Sequence, residues 1–425
     1  MQDPLPIRPI AKFNASVRPP GSKSLTNRAL LLAALAEGES HLTGVLFADD
    51  TRAMLKCLQD LGIQVTIDES NKSVTVVGTG GRMQADQADL FCGNAGTAYR
   101  FLTAACCLGS GEFTLDGILR MRERPIGQLV DPLRSLGADI TYVGEDGFPP
   151  LKIAANGIAG GHFALKPTLS SQYISALLQI APCTESGIEV TFEGPITSLP
   201  YVIMTLRLME RFGARFEADE DYRRIRVLPG GYQSQDYDIE PDASNASYFE
   251  AAAAIIPGSR CTIEGLDESS LQGDVRFADV LKRMGADVQW SQGSVTVTGG
   301  DRLSGIDIDL NDMPDMAQTL AVIAIYADGP TVIRNVGNLR VKETDRLEAL
   351  ATELTKLGVN ARIDGDDLHI EPASPKPADI DTYDDHRMAM SFAIAGLRFD
   401  GVRINDPKCV NKTFPEYFEY LTRLG

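Results

Sequence analysis

The chain has 425 residues, 44% hydrophobic and 23% charged, the proportions of a globular protein rather than a disordered or fibrous one. Its 40 Lys and Arg against 58 Asp and Glu leave a formal charge of −18, a surface that on average repels nucleic acid and anionic membranes. An anionic ligand therefore requires cations gathered locally. The start, MQDPLPIRPI, lacks the basic and apolar regions of a signal peptide, and the densest apolar stretch, residues 29–36, falls far short of the ~20 residues that span a bilayer. Seven scattered cysteines and four histidines without CxxC or HxxxH pairing predict a reduced, cytoplasmic protein with no structural zinc.

Along the chain one phrase recurs, an apolar-periodic helix closing on a near-LG pair and then an extended run. It reads CLQDLGIQVTI, PLRSLGADITY, LMERFGARFEA, VLKRMGADVQW and ELTKLGVNARI, with a last helix YFEYLTRLG. The closing glycines, Gly62, Gly137, Gly213, Gly285, Gly358 and Gly425, lie 67 to 76 residues apart, so six units fill the chain. Glycine after the last turn accepts the left-handed conformation that ends a helix. The runs IQVTIDESNKSVTVVG and ADVQWSQGSVTVTG predict β-hairpins, and SYFEAAAAIIPG before CTIEGL predicts a further helix and strand upstream. Each unit is therefore strand–helix–strand–helix–strand–strand, an α/β fold. The glycine pairs at 80–81, 160–161, 230–231 and 299–300 read as turns.

Six units permit one ring or solenoid, or two domains of three; the chain length favours the second. The polar stretch QSQDYDIEPDASNAS is expected to hold one hinge strand, with the other crossing near SVRPPGSKS. This places residues 1–21 with 241–425 in one domain and 22–240 in the other, with the ligand expected in the cleft between them.

Polar clusters recur just before the helices: GSKSLTNR, GNAGTAYR, SSQYIS, DASNASYF, DMPDMAQT and YDDHRMAM ahead of the first helix of each unit. Helix starts expose unpaired N–H groups, so anions bind there, and Asp49, Asp50 and Ser247 read as ordinary caps. Lys23, Arg28, Arg100, Arg124, Lys342, Arg346, Arg387 and Lys412 lie in or beside these starts, where the helix dipole disfavours cations. Their recurrence in an acidic protein predicts a highly charged small anion as ligand; an ion-pair network is the competing account.

At GSKSLTNRALLLAALAEG, GNAGTAYRFLTAA, RMRERPIG, SSQYISALL, VKETDRL and DDHRMAM, and on to NKTFPEYF, the sequence resembles the 3-phosphoshikimate 1-carboxyvinyltransferase family. The resemblance implies a two-domain inside-out α/β barrel, each domain three βαβαββ repeats. It also implies enolpyruvyl transfer from phosphoenolpyruvate to shikimate 3-phosphate with release of phosphate, by a monomer using no metal or organic cofactor. These two small molecules are then the partners, with no nucleic acid or membrane. Carried over by position, Ser24, Arg28, Ser170, Ser171, Ser198, Asn338 and Lys342 hold shikimate phosphate, and Tyr201 lies against its ring. Arg124, Arg346, Arg387 and Lys412 clamp phosphoenolpyruvate, Asn94, Gly96 and Thr97 shape that subsite, and Lys23 and Gln172 touch both ligands. One anion bridging cations on both domains is expected to draw them together.

The resemblance also implies the chemistry. Asp315 serves as base toward the 5-hydroxyl and contacts the shikimate ligand, Glu343 serves the methylene carbon, Lys23 the departing phosphate, and His386 supports the same region. Asp315 reads alternatively as an N-cap, and Glu343 as the ion-pair partner of Arg346 three residues on. Two departures stand out. Phe101 replaces the usual Pro after the Arg of GNAGTAYR, which puts binding of glyphosate, the family's inhibitor, in question, and Arg122 stands where Lys is usual.

Overall fold

The computed structural model describes residues 1–166 and 169–425. The chain divides into two compact units, one of Met1–Pro20 with Glu240–Gly425, the other of Gly21–Ile239. Helical phrases end where the glycines stand: Gly62, Gly137, Gly213, Gly285 and Gly358 have φ between 81° and 111°, a region costly for any residue with a Cβ. The extended runs pair as hairpins, Gln64–Asp68 with Ser73–Thr79 and Asp287–Ser291 with Ser294–Thr298.

One sheet order recurs. In Gly21–Ile239, strands Gln87–Phe91, Ser110–Asp116, Leu151–Asn156 and Asp139–Tyr142 lie side by side, the first pair parallel and the rest antiparallel. Gly161–Leu165, Ile188–Phe192, Arg224–Val227 and Phe216–Ala218 repeat it. In the other unit Asp307–Asp309, Thr331–Arg334, Asp367–Glu371 and Asn360–Asp364 do the same. Each parallel pair needs a crossover, and a helix supplies it. Two sheets draw a strand from far along the chain: Asn14–Val17 lies parallel to Arg260–Glu264, and Asp236–Asp238 parallel to Ala36–Thr43. The expected hinge segment thus contributes the strand Asp236–Asp238.

The two helices of a repeat differ in kind. Gly96–Cys106, Ala243–Ile255 and His386–Gly396 are buried along their whole length, and Lys23–Leu35 from Leu25 onward. Their Ala-rich sequences have no continuous polar face, so only a fully packed position suits them. The second helices are amphipathic; Asp49–Asp60 turns Met54, Leu55, Cys57 and Leu58 inward. A helix buried all round can meet a ligand only at its end, and there the polar clusters stand.

One turn expectation fails. Gly299 and Gly300 do not have positive φ. A Cβ on Gly299 would fall 2.3 Å from the Ala253 carbonyl oxygen and 2.6 Å from that of Ile256, so close packing against a helix end, not a turn, requires glycine there. Among the described residues, no helix is long and apolar enough to cross a membrane.

Candidate active site

In Gly21–Ile239 several of the site residues occupy helix starts. Ser22 caps the helix Lys23–Leu35, which puts Lys23 in its first turn, and Lys23 Nζ lies 3.4 Å from Asp50 Oδ2. Ser24 follows, and its carbonyl accepts from Arg28 Nη1 at 3.0 Å. The Arg28 guanidinium is 2% exposed, donates from Nε to Thr205 Oγ1 at 2.7 Å and from Nη2 to Ser175 Oγ at 3.3 Å, and lies over the Phe101 ring at 5.2 Å. None of these partners is a carboxylate. Burial therefore pushes the guanidinium down to about 9, opposed only in part by Tyr201. A cation sunk among neutral groups is suited to an incoming anion.

Around the next buried helix, Arg124 Nη1 donates to the carbonyl and side-chain oxygens of Asn94, both at 3.3 Å, and Arg100 Nη1 donates to the Gly96 carbonyl at 2.8 Å. A Cβ on Gly96 would fall 2.6 Å from Arg100 Nη1 and from Arg124 Nη2. Gln172 Nε2 reaches Thr97 Oγ1 at 3.1 Å, while Ser170 caps the helix that Ser171 begins. Ser198 stands before the helix of Tyr201 at φ 56°, and its side chain makes no capping bond.

In the other unit a carboxylate–guanidinium cluster surrounds Arg346. Its Nε donates to Asp385 Oδ2 at 2.7 Å, Nη1 to Asp315 Oδ1 at 3.1 Å and Nη2 to Glu343 Oε2 at 2.9 Å. Burial pulls this guanidinium down, but Asp385, Glu343 and Asp315 together hold it above its usual range. Asp315 accepts on its second oxygen from Arg387 Nη2 at 2.9 Å, and Lys342 Nζ lies 3.8 Å from the first. His386 Nδ1 is 3.5 Å from Asp385 Oδ1, and Asp385 caps the helix by accepting from the Arg387 N–H at 2.9 Å. Asn338 lies in the 3-10 helix Gly337–Val341 with Oδ1 buried and unpartnered among the described residues, and Lys412 is 7% exposed.

Several expectations need correction. Of the cations expected in or beside helix starts, Lys412 ends the 3-10 helix Pro407–Lys412 ahead of Tyr417–Thr422, Lys342 follows another ahead of Arg346–Lys356, and Arg124 lies between Leu119–Arg122 and Gly127–Ser135, so these stand beside a start and not in one. Arg28 sits in a second turn. Asp315 is no N-cap: it lies inside the short helix Pro314–Met316 and spends both oxygens on arginines. The ion-pair alternative for Glu343 is present as geometry. Arg122 forks onto Asp116 on the surface. The sequence reading passed over Asp385, although Asp just ahead of an apolar helical run is the signal of a capping residue. Arg100, counted among the cations of the helix starts but given no substrate contact, donates to the Gly96 carbonyl. Among the described residues, no three His, Cys, Asp or Glu side chains converge for a metal ion.

Comparison with known proteins agrees across the length of the chain. A family model described as EPSP synthase (3-phosphoshikimate 1-carboxyvinyltransferase) matches residues 7–421. A 3-phosphoshikimate 1-carboxyvinyltransferase of Shewanella amazonensis is 47% identical over 100% of this chain and 99% of its own. One of Nostoc sp. is 49% identical over 95% of each. The structure of EPSP synthase from Acinetobacter baumannii is 28% identical with a TM-score of 0.82, covering 99% of this chain and 98% of that one. With a buried guanidinium bonded to neutral groups in one unit, a carboxylate clamped by arginines in the other, and likeness running end to end, this chain belongs to the EPSP synthase (3-phosphoshikimate 1-carboxyvinyltransferase) family.

Proposed function

We propose that two half-sites divide the work of one reaction, the transfer of the enolpyruvyl group of phosphoenolpyruvate to the 5-hydroxyl of shikimate 3-phosphate, a step toward chorismate and the aromatic amino acids. In this reading Arg28, Ser24, Ser170, Ser171, Ser198, Asn338 and Lys342 take the phosphate, carboxylate and hydroxyls of shikimate phosphate, with Tyr201 on the ring. Arg124, Arg346, Arg387 and Lys412 take phosphoenolpyruvate, beside Asn94, Gly96, Thr97, Gln172 and Lys23, because guanidinium forks match paired anionic oxygens. The recurring sheet order and the wholly buried helices support an inside-out barrel of three repeats in each unit. A cytoplasmic monomer is proposed on the same family resemblance.

The observation that carries the mechanism is the double clamp on Asp315. Its two oxygens accept from Arg346 and Arg387. A phosphoenolpyruvate carboxylate has the same shape and charge, so it competes for those arginines and releases Asp315 to accept the 5-hydroxyl proton. The 5-oxygen then forms its bond to C2 while C3 gains a proton. In the second step C3 loses a proton, the C2–O bond to phosphate breaks, and the double bond returns. Glu343 serves C3, Lys23 stabilises the departing phosphate, and His386 supports the same region.

Phosphate release is expected only when both substrates are present, and UDP-N-acetylglucosamine in place of shikimate phosphate should give none. Binding of both substrates without turnover would reduce the chain to an anion-binding protein. Gly96→Ala provides a second check on the subsite. The atoms its methyl meets are ends of flexible side chains, so the fold should persist while the KM for phosphoenolpyruvate rises about tenfold. An unchanged KM would remove Gly96 from that subsite.

A further inference from the structure

Two consecutive residues ahead of the helix His386–Gly396 adopt left-handed backbone without being glycine: Tyr383 at φ 56° and Asp384 at φ 54°. A bulky side chain in this region is strained, and such strain persists only where the surroundings hold it. The holding group is Glu353. Its side chain is 0% exposed, yet its Oε1 accepts from Tyr383 Oη at 2.6 Å and its Oε2 from the Asp381 N–H at 3.1 Å. Lys356 Nζ, 2.9 Å from Oε1, supplies the balancing charge and pairs with Asp381 as well. A buried carboxylate with both oxygens engaged is a rigid anchor.

The location gives the anchor its meaning. Glu353 lies on Arg346–Lys356, whose first residue is Arg346. The strained pair leads directly into Asp385, His386 and Arg387. Both arginines converge on Asp315. The helix Arg346–Lys356 is thus tied twice to the segment that leads into His386–Gly396, at Arg346 through Asp385 and further along at Glu353 through Tyr383. We propose that Glu353 and Tyr383 are positioning residues that fix Arg387 relative to Arg346, and so set the spacing of the clamp for the phosphoenolpyruvate carboxylate. This rests on the reading that both arginines bind that substrate.

The test uses the full-length enzyme and the KM of each substrate. Tyr383→Phe removes one hydroxyl from a 41% exposed side chain and should fold. It keeps the strained backbone without its tether, so the KM for phosphoenolpyruvate should rise about five- to tenfold while that for shikimate phosphate stays within twofold. Glu353→Gln should shift the same constant in the same direction. Glycine is at ease in left-handed backbone and needs no tether, so Tyr383→Gly should be at least threefold less impaired than Tyr383→Phe. Wild-type constants in Tyr383→Phe, equal rises for both substrates, loss of active protein alone, or a glycine variant as impaired as the phenylalanine one would each overturn the proposal. Arg387→Gln separates it from the underlying reading: if that variant leaves the phosphoenolpyruvate KM unchanged, the assignment of the arginines fails, whatever the Tyr383 variants do.

Discussion

Asp315→Asn is expected to lower kcat by roughly 10²-fold or more, the usual cost of losing a positioned acid–base group. The same change should leave the KM for phosphoenolpyruvate unraised and bring it down. Asp315 occupies one hydrogen-bond direction on Arg346 and one on Arg387, with Lys342 close by. Asparagine keeps the shape and one acceptor oxygen but not the charge, so it competes less well with the substrate carboxylate for the two guanidinium groups. Arg346 retains Asp385 and Glu343, so the fold should tolerate the change. Steady-state kinetics with each substrate varied in turn decide the matter. A kcat near that of the unaltered enzyme would remove Asp315 from proton transfer. A phosphoenolpyruvate KM that rises severalfold would show that Asp315 helps to hold the substrate instead of competing with it.

Arg28→Met should separate stability from function. The guanidinium is buried with neutral partners, and a folded-state pKa depressed to about 9 means that burial of the charge weakens the folded state throughout the neutral range. For a base with a depressed pKa the penalty is present in full below that value and relieved only as pH rises toward the unfolded value, so at pH 7 it is on the order of 5 kcal/mol. Methionine has comparable length and no charge. Its neighbours are left satisfied, since Thr205 Oγ1 also donates to the Tyr201 carbonyl at 2.8 Å and Ser175 Oγ lies 2.9 Å from Thr205 Oγ1. The variant should melt no lower than the parent, and replacing buried charges by apolar groups often raises stability. Its KM for shikimate 3-phosphate should nevertheless climb by roughly 10²-fold, as loss of a desolvated charge-assisted contact to phosphate demands. A clear drop in Tm with unchanged binding would make Arg28 a structural residue.

Periodicity and turn chemistry carry much of this fold in plain sight. Gly62, Gly137, Gly213, Gly285 and Gly358 mark helix ends because their special backbone is a local property, and the paired runs after Gly62 and Gly285 read as hairpins for the same reason. The places where residues cluster at helix starts were likewise legible at Lys23, Gly96, Ser171 and Arg387. What a linear pattern could not convey is who faces whom. Asp385 lies 39 residues from Arg346, and Arg28 meets Thr205 across 177 residues. Phe101 stood out as a departure beside Gly96, yet its ring lies against Arg28, a contact set by how two buried helices pack. Gly299 shows the same limit in reverse: the residue type was informative, but the demand for it comes from carbonyl groups some forty residues upstream.

The long-range strand Asn14–Val17 bears on how the protein is born. The ribosome emits that strand first, and its partner Arg260–Glu264 emerges only after everything in Gly21–Ile239 has been made. The inserted unit can complete its own sheets, including the pairing of Asp236–Asp238 with Ala36–Thr43, while the leading segment still waits. Nascent chains should therefore gain protease resistance in two stages, the inserted unit first. A chain beginning at residue 240 would leave Arg260–Glu264 as a bare sheet border, open to self-association.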